Sequence, residues 1–320
     1  MRERQEGIAF LATVVVAWGL TWPVNKLVLA AVPPLWAVTL RSMIAAVVLF
    51  ALALAVGRLI IPPRADVPVL LSITLLHMVG FTVLTSFGLA VVPAGRSVVL
   101  AYTTPLWVTP GARLFLGEPL TARRAVGVLI GLAGLAVLFN PFAFDWTSRE
   151  AVVGNAAILG GAFLWAGSII HIRGHRWRAT PFQLLPWELL LATVILLPLS
   201  LTLEGAPAWA WTPALIALLA YGGIPGTGLP YWAIAMATRR LPAVTISLGL
   251  LATPAFSVVV ATLWLGEPLT ASLVIAIVLI LGGICWDMGG SGRPPSPPRS
   301  GPGMNPGPPR VPSSPRARAG

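Results

Sequence analysis

Apolar residues run along this chain in long continuous blocks, not in alternation with polar ones. Ten such blocks lie at or before Met288: residues 8–32, 35–57, 67–92, 94–116, 123–142, 151–172, 182–203, 212–237, 242–265 and 270–288. A helix needs about 20 mostly apolar residues to cross about 30 Å of hydrocarbon, and each block supplies roughly that length. Lipid offers backbone amides no partner, so each segment must bond within itself as a helix. The short alternating strands of a membrane barrel are not the pattern here. The blocks, segments 1 to 10 below, predict an all-α integral membrane protein with ten transmembrane helices. Segment 1 is longer than the apolar core of a signal peptide, about 7–15 residues, and predicts a retained helix.

Composition agrees. Charged residues make up 10% of the chain, against about 25% in soluble domains, too few to cover a water-facing surface. Residues 289–320 break the pattern with 10 Pro, 7 Gly, 5 Ser and 5 Arg and no acid. Such a stretch cannot bury a core, which predicts a disordered tail. Basic residues in short loops set orientation. With the N-terminus in the cytoplasm, Arg2, Arg4, Arg58, Arg64, Arg123, Arg124, Arg173, Arg176, Arg178, Arg239 and Arg240 fall inside, and only Arg96 and Arg149 outside. The expectation is a multi-pass protein of the cell inner membrane with both termini cytoplasmic. The net charge of +11 is then mostly this inside bias plus the tail, and no nucleic-acid partner is expected. The single cysteine, Cys285, excludes an internal disulfide. No spacing of His, Cys, Asp and Glu suggests a metal, and no cofactor is expected.

The chain repeats itself. Leu116-Gly117-Glu118-Pro119-Leu120-Thr121 recurs as Leu265-Gly266-Glu267-Pro268-Leu269-Thr270, an offset of 149 that also relates Thr104-Pro105 to Thr253-Pro254, Pro93-Ala94 to Pro242-Ala243 and Gly134 to Gly283. Earlier in each half the offset is 147, pairing Trp18 with Trp165 and Lys26 with Arg173. The repeats occupy residues 1–142 and 143–288, with the tail at 289–320. Five segments is an odd number, so the second copy enters the membrane from the opposite side. This gives two inverted five-helix repeats, with the first Gly-Glu-Pro turn inside and the second outside.

Ala17-Trp18-Gly19, Leu40-Arg41, and Thr-Pro followed by Leu-Gly-Glu-Pro-Leu-Thr in segments 4 and 9 resemble the EamA domains of the drug/metabolite transporter superfamily, over residues 8–288. The resemblance implies a central cavity lined by segments 1, 3, 4, 6, 8 and 9. Segments 5 and 10 would then be peripheral, and the activity metabolite or amino-acid transport, often export. Glu188 departs from the pattern at the segment-7 position facing Arg41.

Several residues could carry chemistry. Proline removes a backbone donor and frees a carbonyl one turn back, and such openings survive in lipid only inside protein or beside a wet cavity. Pro105, Pro110 and Pro254, and the run Gly222–Pro230 with Pro225 and Pro230, therefore read as helix breaks or hinges, or else as packing kinks. Ionisable groups at membrane depth are site candidates. His77 could bind a carboxylate or relay a proton, or be a hydrogen-bonded core histidine. Arg41 and Glu188 match at offset 147 and lie about 9 Å deep from opposite faces at about 1.5 Å per residue. That leaves roughly 12 Å between them in about 30 Å of hydrocarbon, which disfavours direct pairing. Arg41 can snorkel to the outer interface; Glu188 is too short and should face protein or water. Lys26 and Arg113 read as snorkelling anchors. Trp36, Trp146, Trp209 and Trp211 read as interface belt. The deeper Trp18, Trp22, Tyr102, Trp165, Tyr231 and Trp232, with Asn25, could line a cavity or simply fill the core. Gly127, Gly131 and Gly134 allow close helix approach, within the monomer or in a homodimer.

The candidate substrate-binding residues are therefore Trp18, Trp22, Asn25, His77, Tyr102, Trp165, Glu188 and Tyr231. The reading is a secondary transporter of amino-acid or drug-like metabolites, working by alternating access and directed to efflux, in contact with membrane lipid. A passive channel is the alternative. An intramembrane enzyme is disfavoured, because no paired acids, HExxH or Walker motif is present.

Overall fold

Each apolar block becomes one helical rod. The computed structural model describes residues 2–139, 145–238, 240–241 and 243–288; the Pro/Gly/Arg-rich tail, Arg239 and Pro242 lie outside them. Segments 1 and 2 are α1 (Arg2–Leu29) and α2 (Pro34–Ala55). Segment 3 is α3 (Val67–Ser72), a π-helical stretch (Ile73–Phe81) and α4 (Thr82–Val91). Segment 4 is two half-helices, α5 (Ala94–Ala101) and α6 (Thr104–Leu116), and segment 5 is α7 (Ala122–Leu138). Segments 6 and 7 are α8 (Arg149–Gly174) and α9 (Pro181–Leu203). Segment 8 joins α10 (Pro213–Gly223) to α11 (Leu229–Thr238) through a second π-helical stretch, Ile224–Gly228. Segment 9 is α12 (Ala243–Leu250) and α13 (Ala252–Leu265), and segment 10 is α14 (Ala271–Met288). Five stretches (3–29, 34–55, 64–91, 149–174 and 181–203) are continuous helices long and apolar enough to cross a membrane. Large apolar side chains such as Leu54, Leu114, Leu263 and Val278 point outward, as a lipid-facing surface requires.

The duplicated hexapeptide explains its own turn. Gly117 (φ 68°) and Gly266 (φ 69°) take the left-handed conformation that ends α6 and α13, which glycine adopts without the Cβ penalty. The proline two residues on cannot continue a helix. The closing threonine caps the next one, its hydroxyl accepting from Arg124 N at 3.3 Å in the first copy and from Leu273 N at 3.2 Å in the second. Glu267 accepts hydrogen bonds from Ala94 and Gly95 at the start of α5, whereas Glu118 follows the far end of the same segment. The two copies of the turn thus lie at opposite ends of the bundle, as an inverted repeat demands.

Segments pair across the pseudo-symmetry. α7 packs along α14 and α2 along α9, while α1 lies against segments 8 and 9 as α8 lies against segments 3 and 4. The glycine face of α7 is occupied inside the monomer: a Cβ on Gly283 would sit 2.8 Å from Gly131 N, and one on Gly134 would sit 2.9 Å from Leu279 and Ile280 side-chain atoms. These glycines serve the close approach of α7 and α14 within the monomer. Carboxylates tie segment 7 at both ends, to the start of segment 2 and to the start of segment 3. Glu204 accepts from Leu35 N (2.9 Å) and Trp36 N (3.0 Å) at the start of α2. Asp66, fully buried, takes Ala179 N at 2.7 Å, Arg178 N at 3.1 Å and His175 Nε2 at 2.8 Å just before α9. Breaking a buried, multiply bonded charge site of this kind costs about 3–5 kcal/mol. Asp66→Ala should therefore lower the detergent-solubilised melting temperature by several degrees, while Asp145→Ala, at an exposed turn, should leave it unchanged.

Some sequence expectations need correction. Lys26 does not snorkel: its ammonium donates to the carbonyls of Leu89 (2.6 Å), Ala90 (3.1 Å) and Val92 (2.9 Å), the unsatisfied end of α4. Three free carbonyls at a helix C-terminus attract a cation more strongly than the interface does. Arg96 is not a loop residue but lies in α5, bonded to Asn155 Oδ1 and to the Leu138 carbonyl, both at 2.7 Å. Trp36 is buried, its indole N–H on the Gly205 carbonyl, so it belongs to the core and not to an interface belt. Trp232 is exposed, edge-on to Phe10. Arg113 remains an exposed residue of the last turn of α6.

Candidate functional site

Two breaks follow from proline geometry. Pro105 cannot donate to, and would clash with, the carbonyl four residues back, and α5 ends at that residue, Ala101. Pro254 has the same relation to Leu250, where α12 ends. Both prolines sit in the first turn of a new helix, so these are breaks between half-helices and not kinks. The carbonyls opened in segment 4 are met locally, Leu100 by Thr103 Oγ1 and Ala101 by Thr104 Oγ1, both at 2.7 Å. In segment 9 the hydroxyl of Thr253 faces Tyr102, and that of Ser257, one turn on, is buried with no partner among the described residues. Pro110 lies inside α6, which runs on through it.

The other two breaks are π-helical. In segment 8 Pro225 is the second π residue and Pro230 lies in the first turn of α11; Thr227 Oγ1 donates to the Gly222 carbonyl at 2.8 Å. Segment 3 has the matching feature, with His77 in the middle of its π-helical stretch. No proline announces it. The repeat offset does: adding 147–149 to His77 lands at 224–226, inside the Gly/Pro run of segment 8. Wide-turn helices of this kind recur at functional sites, because they turn side chains and carbonyls off the regular helical register.

These breaks converge with the candidate residues on the middle of the bundle. Trp165 stacks on His77 (ring centroids 5.2 Å, planes 13° apart) and meets Phe81 at 4.9 Å and Tyr102 at 6.4 Å. Its repeat mate Trp18 meets Tyr231 edge-on at 5.8 Å. Tyr221 donates to the Ala17 carbonyl at 3.0 Å and joins segment 8 to segment 1. Glu188 is buried at 3% exposure and lies within electrostatic reach of Tyr231. Trp22 packs against the same core cluster as Phe81 and Tyr102 and also among Leu89, Ala94 and Ala261 toward the Glu267 end.

The residue placed least well by sequence reasoning is Arg41. It does not run to the interface: its stem lies where a Cβ on Gly222 would be 3.6 Å away, with Asn25 Oδ1 beside the same glycine. The charge is within reach of both Tyr231 and His77. The glycine at 222 is the signal, since any side chain there would meet the arginine stem. Arg41 and Glu188 are not paired.

Near the Glu267 end a second feature recurs by symmetry. Lys26 holds the end of α4, and Glu267 holds the first two N–H groups of α5 at 2.6 and 2.8 Å. Segment 1 and the 9–10 turn are thereby tied to segments 3 and 4. A cavity of about 310 Å³ lies alongside, lined in part by Arg96, Thr262 and Glu267. The repeat mates at the other end, Arg173 and Glu118, bond to each other, and Arg124 also donates to Glu118 at 3.3 Å.

The fold and site define a multi-pass helical membrane protein whose broken helices surround a polar and aromatic centre. Residues 5–140 and 152–286 each match the EamA-like transporter family. The chain belongs to that family and is a small-molecule transporter. The transporter YoaV of Bacillus subtilis (strain 168) is 25% identical over 274 residues, 86% of this chain and 94% of that protein. The "Probable amino-acid metabolite efflux pump" of Escherichia coli (strain K12) is 28% identical over 290 residues, 88% and 94% of the two chains. A crystal structure 24% identical in sequence shares the fold, with a TM-score of 0.61 over 87% of this chain and 98% of its own.

Proposed function

We propose that the protein is a secondary transporter of amino-acid or drug-like metabolites, exporting them from the cell by alternating access. In this reading the two five-segment repeats sit in the inner membrane with both termini in the cytoplasm. The observation that carries it is the unequal state of the paired clamps. Glu204 ties the end of segment 7 to the start of segment 2, and Asp66 ties the start of segment 3 to the residues just before segment 7, as a fixed frame would. Lys26 and Glu267 are engaged across segments 3 and 4, while their repeat mates Arg173 and Glu118 bond to each other. An inverted repeat has two equivalent closures and makes one at a time. In this reading the Lys26 and Glu267 contacts form one of the two closures, at the Glu267 face. A passive channel would need no such exchange. The E. coli relative's name supports amino-acid metabolites and the efflux direction.

Counterflow in proteoliposomes tests the proposal. Internal unlabelled amino acid should drive transient uptake of the labelled solute, and the uptake should saturate. Trp165→Ala, which removes the ring joining His77, Phe81 and Tyr102, should cut the rate about tenfold or more while the protein remains folded, since each aromatic pair contributes about 0.5–1.5 kcal/mol. Unsaturable flux without counterflow would identify a channel instead.

A further inference from the structure

Arg41 is the one arginine of the bundle centre, and among the described residues nothing neutralises it. Neither a hydrogen bond nor an ion pair reaches its guanidinium, whereas Arg96, Arg124, Arg173 and Arg240 all have partners. An unpaired charge at this depth is costly, and a packing role would be served by an apolar side chain. The side chain is partly buried, with its stem beside Gly222. The Asn25 amide oxygen, an acceptor, stands beside the same glycine, and Tyr231, whose hydroxyl can donate, lies within the field of the arginine. A planar fork of N–H donors with a flanking hydroxyl donor fits a carboxylate.

We propose that Arg41 is the anchor for the carboxylate of the transported solute, and that the site takes monoanionic or zwitterionic carboxylates. This rests on the transporter reading above and specifies its substrate class. Two features argue for a single negative charge. Only one cation faces the space, with His77 adding at most a hydrogen bond, and the buried, unpartnered Glu188 lies within reach of Tyr231 on the same side. A phosphate dianion would have one cation to bind and the buried Glu188 side chain to face. The remainder of the solute would lie against Trp18 and the Trp165–His77 stack, which favours an apolar body.

The test uses the full chain purified in detergent, with thermal stabilisation as the readout. Probes are the proteinogenic L-amino acids, their carboxamides and the matching deaminated acids. Some carboxylates should stabilise the wild type, and each matching carboxamide should bind about tenfold more weakly or worse, as expected for loss of a charge-assisted contact. Arg41→Gln should abolish the preference for carboxylate over carboxamide, and Arg41→Lys should keep part of it. The carboxamide comparison needs no variant, so it stands even if Arg41→Gln fails to fold. Equal binding of carboxylates and carboxamides, no stabilisation by any carboxylate, or undiminished preference in folded Arg41→Gln overturns the assignment. Carboxylates that bind through Arg41 but give no counterflow would sink the transport reading and leave the anchor standing.

Discussion

Gly283→Leu is expected to abolish folding, whereas its neighbour Gly282→Leu should be silent. A Cβ at 283 would press into the Gly127 carbonyl oxygen and lie 2.8 Å from Gly131 N and 3.3 Å from Gly131 Cα. These are backbone atoms, so no rotamer change can relieve the contact; α7 and α14 would have to separate along their length. Ordinary overpacking costs about 1–3 kcal/mol, but here close helix approach is the source of the packing, because lipid gives apolar helix faces no hydrophobic incentive to associate. A Cβ at 282 meets nothing within 4 Å. Fluorescence-detected size-exclusion chromatography distinguishes the two: a monodisperse wild-type-like peak for Gly282→Leu, and aggregate or no peak for Gly283→Leu. Equal profiles would show that α7 and α14 do not pack as described.

The second large effect concerns the clamp. Glu267→Gln keeps the shape of the side chain but removes the charge that holds two backbone N–H groups at the start of α5 and faces Lys26. Hydrogen bonds to a charged group contribute about 1.5–3 kcal/mol each, against about 0.5–1.5 for neutral ones. The closed state at this end should lose about 2 kcal/mol or more, which moves a two-state balance by roughly thirtyfold. Transport should slow accordingly, since one of two exchanging states becomes poorly populated. A cysteine at position 95, introduced with the exposed Cys285 changed to serine, should react faster with a water-soluble maleimide in Glu267→Gln than without it. Unchanged reactivity and transport together would show that the Glu267 contact is only structural.

Much of this architecture is legible along the chain because its causes are local or repeated. Apolar run length gives the segments, Gly117 and Gly266 with the prolines after them give the turns, and the offset between repeats gives the inversion. Pro105 and Pro254 mark where segments 4 and 9 divide. The π-helical stretch around His77 is hidden by comparison, since nothing between Ile73 and Phe81 breaks a helix except Gly80. Only its pairing with the Gly/Pro run of segment 8 points to it. Lys26 and Arg41 were misplaced for one shared reason: a long basic side chain near a helix end reads as reaching for water unless its protein partners are known.

Sequence by itself determined that this is a helical membrane protein of duplicated, inverted halves, because hydrocarbon thickness and backbone hydrogen bonding leave so few ways to fold such a chain. Only the tertiary structure decided that Lys26 and Glu267 hold one end while Glu118 and Arg173 pair with each other, and that Arg41 faces inward without a partner. Those outcomes depend on which helix end or open space lies within a few ångströms of a charged group. That distance joins residues up to 173 positions apart, as from Ala94 to Glu267, and no local pattern encodes it.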